Sequence, residues 1–90
     1  MRYVWDEAKR QRNLQKHGLD FEDAKKVFNS PLYVFEDHRA AYGEQRMVAF
    51  GTLQTLTVVV IHVEADDTIR IISMRKATRN ETNTYYRNIR

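Results

Sequence analysis

The run Leu-Thr-Val-Val-Val-Ile-His-Val-Glu from Leu56 to Glu64 constrains this chain more than any other stretch. β-Branched residues at nearly every position favour a strand, and apolar residues at both odd and even positions require cover on both faces. Such a strand belongs in the middle of a sheet. The chain has 90 residues, enough for a single domain spanning 1–90 with a thin core. Helices are expected over one face of the sheet; what covers the other is open.

Local signals place the remaining elements. Arg2 to Trp5 reads as a short first strand. Asp6 is a candidate N-cap, Glu7 to His17 a helix, and Gly18 its C-terminal stop. Asp20 caps a second helix that presents Phe21, Ala24, Val27 and Phe28 on one face until Asn29-Ser30-Pro31 breaks it. Leu32 to Glu36 and Gln45 to Phe50 read as strands around a polar loop, Asp37 to Glu44, and Gly51 opens a turn. Asp66-Asp67 turns the chain into a last strand, Thr68 to Lys76, and Thr78 begins a terminal helix with Glu81 at the capping-box position. The expected fold class is α+β: a small antiparallel β-sheet with two N-terminal helices and a C-terminal helix. If Asp66-Asp67 is a two-residue turn, His62 faces Ile71, Val60 faces Ser73 and Val58 faces Arg75. His62, Ser73 and Arg75 then share one face, with Arg70, Ile72 and Met74 on the other.

The charge pattern points to an anionic partner. The net charge is +3, with 15 basic and 12 acidic residues, and arginine supplies 10 of the 15. From Ile69 onward six basic residues (Arg70, Arg75, Lys76, Arg79, Arg87, Arg90) stand against Glu81 alone, and Lys9, Arg10, Arg12 and Lys16 form a second cluster. Nucleic acid, or an acidic protein that covers the same patch, fits both. The chain lacks cysteine, which excludes disulfides, thiolate metal sites and a thiol nucleophile. Its longest apolar stretch is far below a membrane span, and Met1 to Asp6 has no apolar signal-peptide core. A cytoplasmic setting without membrane association is expected.

Among the histidines, His62 interrupts the most apolar strand. It could be a general base or phosphate ligand beside Arg75, or a core histidine bonded to a backbone group, as buried polar groups usually are. His17 ends a helix, where a cation is favoured, and with Lys16 it could hold a phosphate. His38 in the polar loop says little by itself. Arg46, Arg70 and Arg75 lie in mid-strand, where function competes with structural ion pairing. Of Tyr85 and Tyr86, one is expected in the core and the other free to stack on a base or donate its hydroxyl. Phosphate-binding glycine loops, zinc-protease motifs and EF-hand loops are missing, and the acidic residues do not cluster as a two-metal nuclease needs. A nuclease built from these residues would work without metal: the RNA 2′-hydroxyl attacks the adjacent phosphate, a base takes its proton, cations stabilise the phosphorane, and an acid protonates the leaving 5′-oxygen.

The order and spacing of the short motifs resemble one family. Trp5-Asp6-x-x-Lys9, Asn13-x-x-Lys16-His17-Gly18-x-x-Phe21 and Ala24-x-x-Val27-Phe28 are similar to the opening of the BrnT toxins. Gly43-Glu44-x-Arg46, Gly51, and Ile69-Arg70-Ile71-Ile72-Ser73-x-Arg75-x-Ala77, followed by Glu81 and Tyr85, are similar to its later blocks. Glu7 stands where the family often has proline and Met74 where it often has alanine, and His38 only loosely matches a family histidine. The resemblance implies a RelE-like fold and a metal-independent endoribonuclease that inhibits translation, the toxin of a type II toxin–antitoxin system. It implies neutralisation by a BrnA-type antitoxin with a ribbon-helix-helix DNA-binding domain, operator DNA contact only through that complex, room for a toxin dimer within it, and no cofactor. Lys16, His17, Arg46, Arg75 and Tyr85 are the catalytic candidates it implies, and the family's polar positions also fall on Glu44, Arg70, Ser73 and Glu81. With Lys9, Arg12, His62 and Arg79, the residues Glu44, Arg70 and Ser73 make the RNA-binding candidates. The competing reading is a non-catalytic basic module that binds an antitoxin or DNA-binding protein and acts in promoter regulation.

Overall fold

The first strand pairs where no local signal points. In the computed structural model, which describes residues 1–89, β1 (Arg2–Trp5) lies parallel to the last strand, β5 (Thr68–Lys76). The chain then runs through α1 (Glu7–His17), a single 3-10 turn at Phe21–Asp23, α2 (Ala24–Phe28), β2 (Tyr33–Glu36), β3 (Met47–Leu53), β4 (Leu56–Ala65), β5 and α3 (Arg79–Asn88). The sheet order is β1-β5-β4-β3-β2, and all pairs except β1–β5 are antiparallel. The α+β class stands, but the sheet is mixed, not purely antiparallel.

The caps form as read. The Asp6 side chain accepts from the Lys9 N–H, Gly18 takes a left-handed φ of 71°, and Thr78 with Glu81 closes a reciprocal capping box. Gly51, expected to open a turn, is instead buried within β3. A Cβ there would sit 2.8 Å from Val27 and 2.9 Å from Leu32, so glycine lets α2 approach the strand. The turn comes later, through Gln54 at a φ of 56°.

Both faces of β4 are buried, by different partners. Phe21, Ala24 and Val27 pack on Ala49, Val58, Val60, Ile69, Ile71 and Met74. On the opposite face α3 lays Tyr85 against a layer containing Val48, Phe50, Val59, Ile61 and Ala77. Asn13 joins α1 to the sheet. Its amide donates to the Met74 carbonyl (2.8 Å) and the Leu19 carbonyl (3.0 Å), and its oxygen accepts from the Met74 N–H (3.1 Å). β1 pairs with β5 only from Thr68 to Ile71; beyond it, Asn13 supplies the bonds that a neighbouring strand would make.

The register changes within β5. His62 faces Ile71 as expected, but Ile61 then faces Ser73, Val60 faces Met74 and Val59 faces Arg75. Ile72 is the extra residue of a β-bulge. The expected pairings of Val60 with Ser73 and Val58 with Arg75 are therefore wrong. A bulge shifts the pleat by one residue, so Met74 turns into the helix-covered core and Arg75 moves to the other face, alongside Arg70.

Candidate active site

On the face carrying α3, a cleft opens between the 37–46 loop and the start of that helix. Val48, Phe50 and Ile61 form its floor, and Phe35 to Arg39 line one side. Arg75 from β5 and Glu81 from α3 line the other. The bulge at Ile72 is what aims Arg75 here. Its guanidinium grips Glu81 with two bonds of 2.8 Å, while Glu81 also accepts from the Thr78 N–H at 2.9 Å. Across the cleft, Arg39 makes a similar fork on the buried carboxylate of Asp37, at 2.8 and 2.7 Å. His38 lies between them in sequence and is largely exposed, with Nδ1 3.8 Å from Glu36.

These pairs fix the ionisation of the carboxylates. Hydrogen bonding to Arg75 holds the Glu81 carboxyl at about 2, and hydrogen bonding to Arg39 holds Asp37 far below the ordinary carboxylate range. Both are anions at neutral pH and neither can donate a proton to a leaving group. Because Glu81 is depressed from 4.5 to about 2, its contribution to stability is complete above pH 4.5 and disappears as the pH falls toward 2. The difference in thermal midpoint between the native chain and Glu81→Gln is therefore expected to close over that window. A difference that stays constant with pH would show that the charge of Glu81 is not what the pair contributes.

A second polar chain braces the loop. Arg70 donates to Glu44, Arg46 donates to the same carboxylate at 3.4 Å, and the Arg46 guanidinium lies 4.3 Å over the Tyr42 ring. The Tyr42 hydroxyl donates to Asp37 at 3.3 Å. Glu44, Arg46 and Arg70 are thus gathered on one face, tied through Tyr42 to the Asp37–Arg39 pair.

Four further candidates collect beside β5. Lys9, Arg12, Lys16 and His17 of α1 line a groove with Asn13, Ile72 and Ser73. Arg10 does not contribute, because it is paired with Glu7 and Asp20. The groove adjoins the cleft through the sheet: Phe35, Val48, Ile61 and Ser73 are successive register partners across four strands. With about 4.8 Å between neighbouring strands, that row crosses roughly 14 Å.

The family model described as the ribonuclease toxin, BrnT, of type II toxin–antitoxin systems matches residues 5–81. The chain belongs to the BrnT toxin family. It is similar to the crystal structure of the Brucella abortus ribonuclease toxin BrnT, solved at 1.1 Å, with a TM-score of 0.71 and 35% identity, covering 88% of this chain and 99% of that one. A search of curated proteins gave no match. The BrnT match takes in the whole cleft, from Phe35 through Arg75 to Glu81, and ends before Tyr85.

Two candidates fall away from any surface RNA could reach. His62 is fully buried on the opposite face, edge-on to Phe28 at 4.9 Å and with Nε2 2.8 Å from Glu64. It is the core histidine of the two alternatives. Tyr85 is 1% exposed and donates its hydroxyl to the Pro31 carbonyl at 2.8 Å, so it anchors α3, while Tyr86 is the exposed ring. Arg79 opens α3 at the surface and makes no ion pair among the described residues. Sequence reasoning did not assign Arg39 and Asp37 and passed over His38. The one available signal was the histidine ahead of the Gly43-Glu44-x-Arg46 block.

Proposed function

We propose that this chain is a metal-independent endoribonuclease toxin, in a RelE-like layout, that cleaves RNA and thereby inhibits translation. The observation that carries the reading is the convergence of Arg75, Arg39 and His38 on one cleft in which arginines already engage Glu81 and Asp37. The 2′-oxygen of a bound nucleotide attacks the adjacent phosphorus and the P–O5′ bond breaks. The products are a 2′,3′-cyclic phosphate and a free 5′-hydroxyl. Arg75 and Arg39 keep N–H groups free after engaging their carboxylates, and these face the extra negative charge of the phosphorane. His38 brings an imidazole, the side chain most often used as general acid or base, to carry a proton either from the 2′-hydroxyl or to the leaving oxygen. Lys9, Arg12, Lys16 and His17 hold the flanking phosphates, and Arg46, Glu44 and Arg70 keep the loop in place.

In this reading a BrnA-type antitoxin with a ribbon-helix-helix domain neutralises the toxin, and operator DNA is contacted only through the complex. The protein acts in the cytoplasm; among the described residues no helix is long and apolar enough to cross a membrane. His38→Ala is expected to slow cleavage by roughly 10²–10⁴-fold and to remove the limb of the pH–rate profile that the imidazole governs. An unchanged rate and profile would take the proton-transfer role away from His38. Lys16→Ala is expected to weaken RNA binding and lower its salt dependence by about one counterion, read from the slope of log affinity against log salt.

A further inference from the structure

β2 is the outermost strand on the side away from β1, and Tyr33 and Phe35 pair with Phe50 and Val48 on the face that carries the cleft. The rings of Tyr33, Phe35 and Phe50 form one cluster, with centroids 5.4 Å (Tyr33–Phe35), 5.3 Å (Phe35–Phe50) and 5.9 Å (Tyr33–Phe50) apart. Phe50 is buried, but Phe35 keeps 38% of its surface exposed. A second depression lies against this cluster, lined by Tyr33, Phe35 and Phe50 from the sheet and by Asn80, Glu81 and Thr84 from α3. It shares Phe35, Phe50 and Glu81 with the cleft, so the two are contiguous.

The chemistry of the walls narrows what would occupy it. The floor is aromatic. The opposite wall offers the Asn80 amide, a donor and an acceptor that make no side-chain hydrogen bond among the described residues. Thr84 accepts from Arg87 at 3.3 Å through its hydroxyl oxygen and keeps the proton free to donate. Glu81 presents no free charge, because Arg75 holds both of its oxygens. An aromatic platform facing neutral donors and acceptors, one step from a cationic cleft, suits a planar heterocycle attached to a phosphate. We infer that this depression is a nucleobase subsite, in which the base beside the scissile phosphate stacks on Phe35 and turns its edge to Asn80 and Thr84. The inference rests on the ribonuclease reading for the phosphate, and it makes Phe35 and Asn80 the residues that set cleavage preference.

The test uses a single-stranded deoxyoligonucleotide containing 2-aminopurine, which lacks the 2′-hydroxyl and cannot be cut. Binding to the native chain is expected to quench the probe by stacking. Phe35→Ala is expected to abolish the quench and weaken binding roughly tenfold, with Phe35→Leu equally impaired and both variants folded by circular dichroism. In parallel, Asn80→Ala is expected to redistribute cut sites along a mixed-sequence RNA. If Phe35→Leu retains native affinity and quench, the base stacks elsewhere and the subsite is refuted, whether or not the chain cuts RNA. If the native chain quenches the probe and Phe35 variants do not, yet no RNA is cleaved, the subsite stands and the nuclease reading fails.

Discussion

Replacing Arg75 with alanine is expected to lower RNA cleavage by roughly 10²–10³-fold while the far-UV circular dichroism stays that of the folded domain. Arg75 is about one-third exposed and its pair with Glu81 stands at the protein surface, where such pairs contribute at most about 1 kcal/mol to stability. In the proposed reaction its part is larger. The phosphorane carries one more negative charge than the bound diester, so a fixed guanidinium stabilises the transition state more than the ground state. Both kcat and kcat/KM should therefore fall together. Arg75→Lys is expected to recover only part of the loss, because an ammonium cannot grip Glu81 at two points and still aim a donor into the cleft. Native rates in Arg75→Ala would place the chemistry elsewhere.

Asn13→Ala is expected to destabilise the domain by about 3 kcal/mol, since the Met74 N–H, the Met74 carbonyl and the Leu19 carbonyl lose their partner in a buried setting. For a domain of this size that lowers the thermal midpoint by roughly 12–24 °C. Asn13→Asp should also be destabilised, because a carboxylate keeps the acceptor but faces two carbonyls with no proton to offer. The functional consequence follows from position. Asn13 fixes α1 against β5, and α1 carries Lys9, Arg12, Lys16 and His17, so RNA binding should weaken in the variant even below its melting temperature. A midpoint within about 2 °C of the native value would mean that α1 is held by packing alone.

What could be read in the sequence was local. Asp6, Gly18, Thr78 and Glu81 act within one turn of the helix ends they cap, and Asp66-Asp67 joins two strands already adjacent in sequence. The pairing of β1 with β5 has no such signature, because parallel neighbours far apart in sequence are chosen by the whole sheet. The bulge at Ile72 carries no glycine or proline, and the even run of Ile69 to Arg75 hides it. Missing that one residue put Arg75 and Arg70 on opposite faces, whereas the bulge brings them to the same one. The choice between Tyr85 and Tyr86 depends on the phase with which α3 meets β3, and the bond to Pro31 decides it. Arg39 and His38 were hard to find for another reason. They sit on a loop without periodicity, and only the fold carries that loop to the cleft facing Arg75.

The central claim is metal-free transesterification of RNA by the Arg75, Arg39 and His38 cleft. The measurement that tests it most directly is incubation of purified protein with RNA in excess EDTA, without ribosomes, followed by analysis of the product ends. The account predicts cleavage that is undiminished by the chelator and fragments bearing 2′,3′-cyclic phosphate and 5′-hydroxyl termini. Cleavage that stops in EDTA and returns with added magnesium, or fragments with 5′-phosphate and 3′-hydroxyl ends, would contradict it.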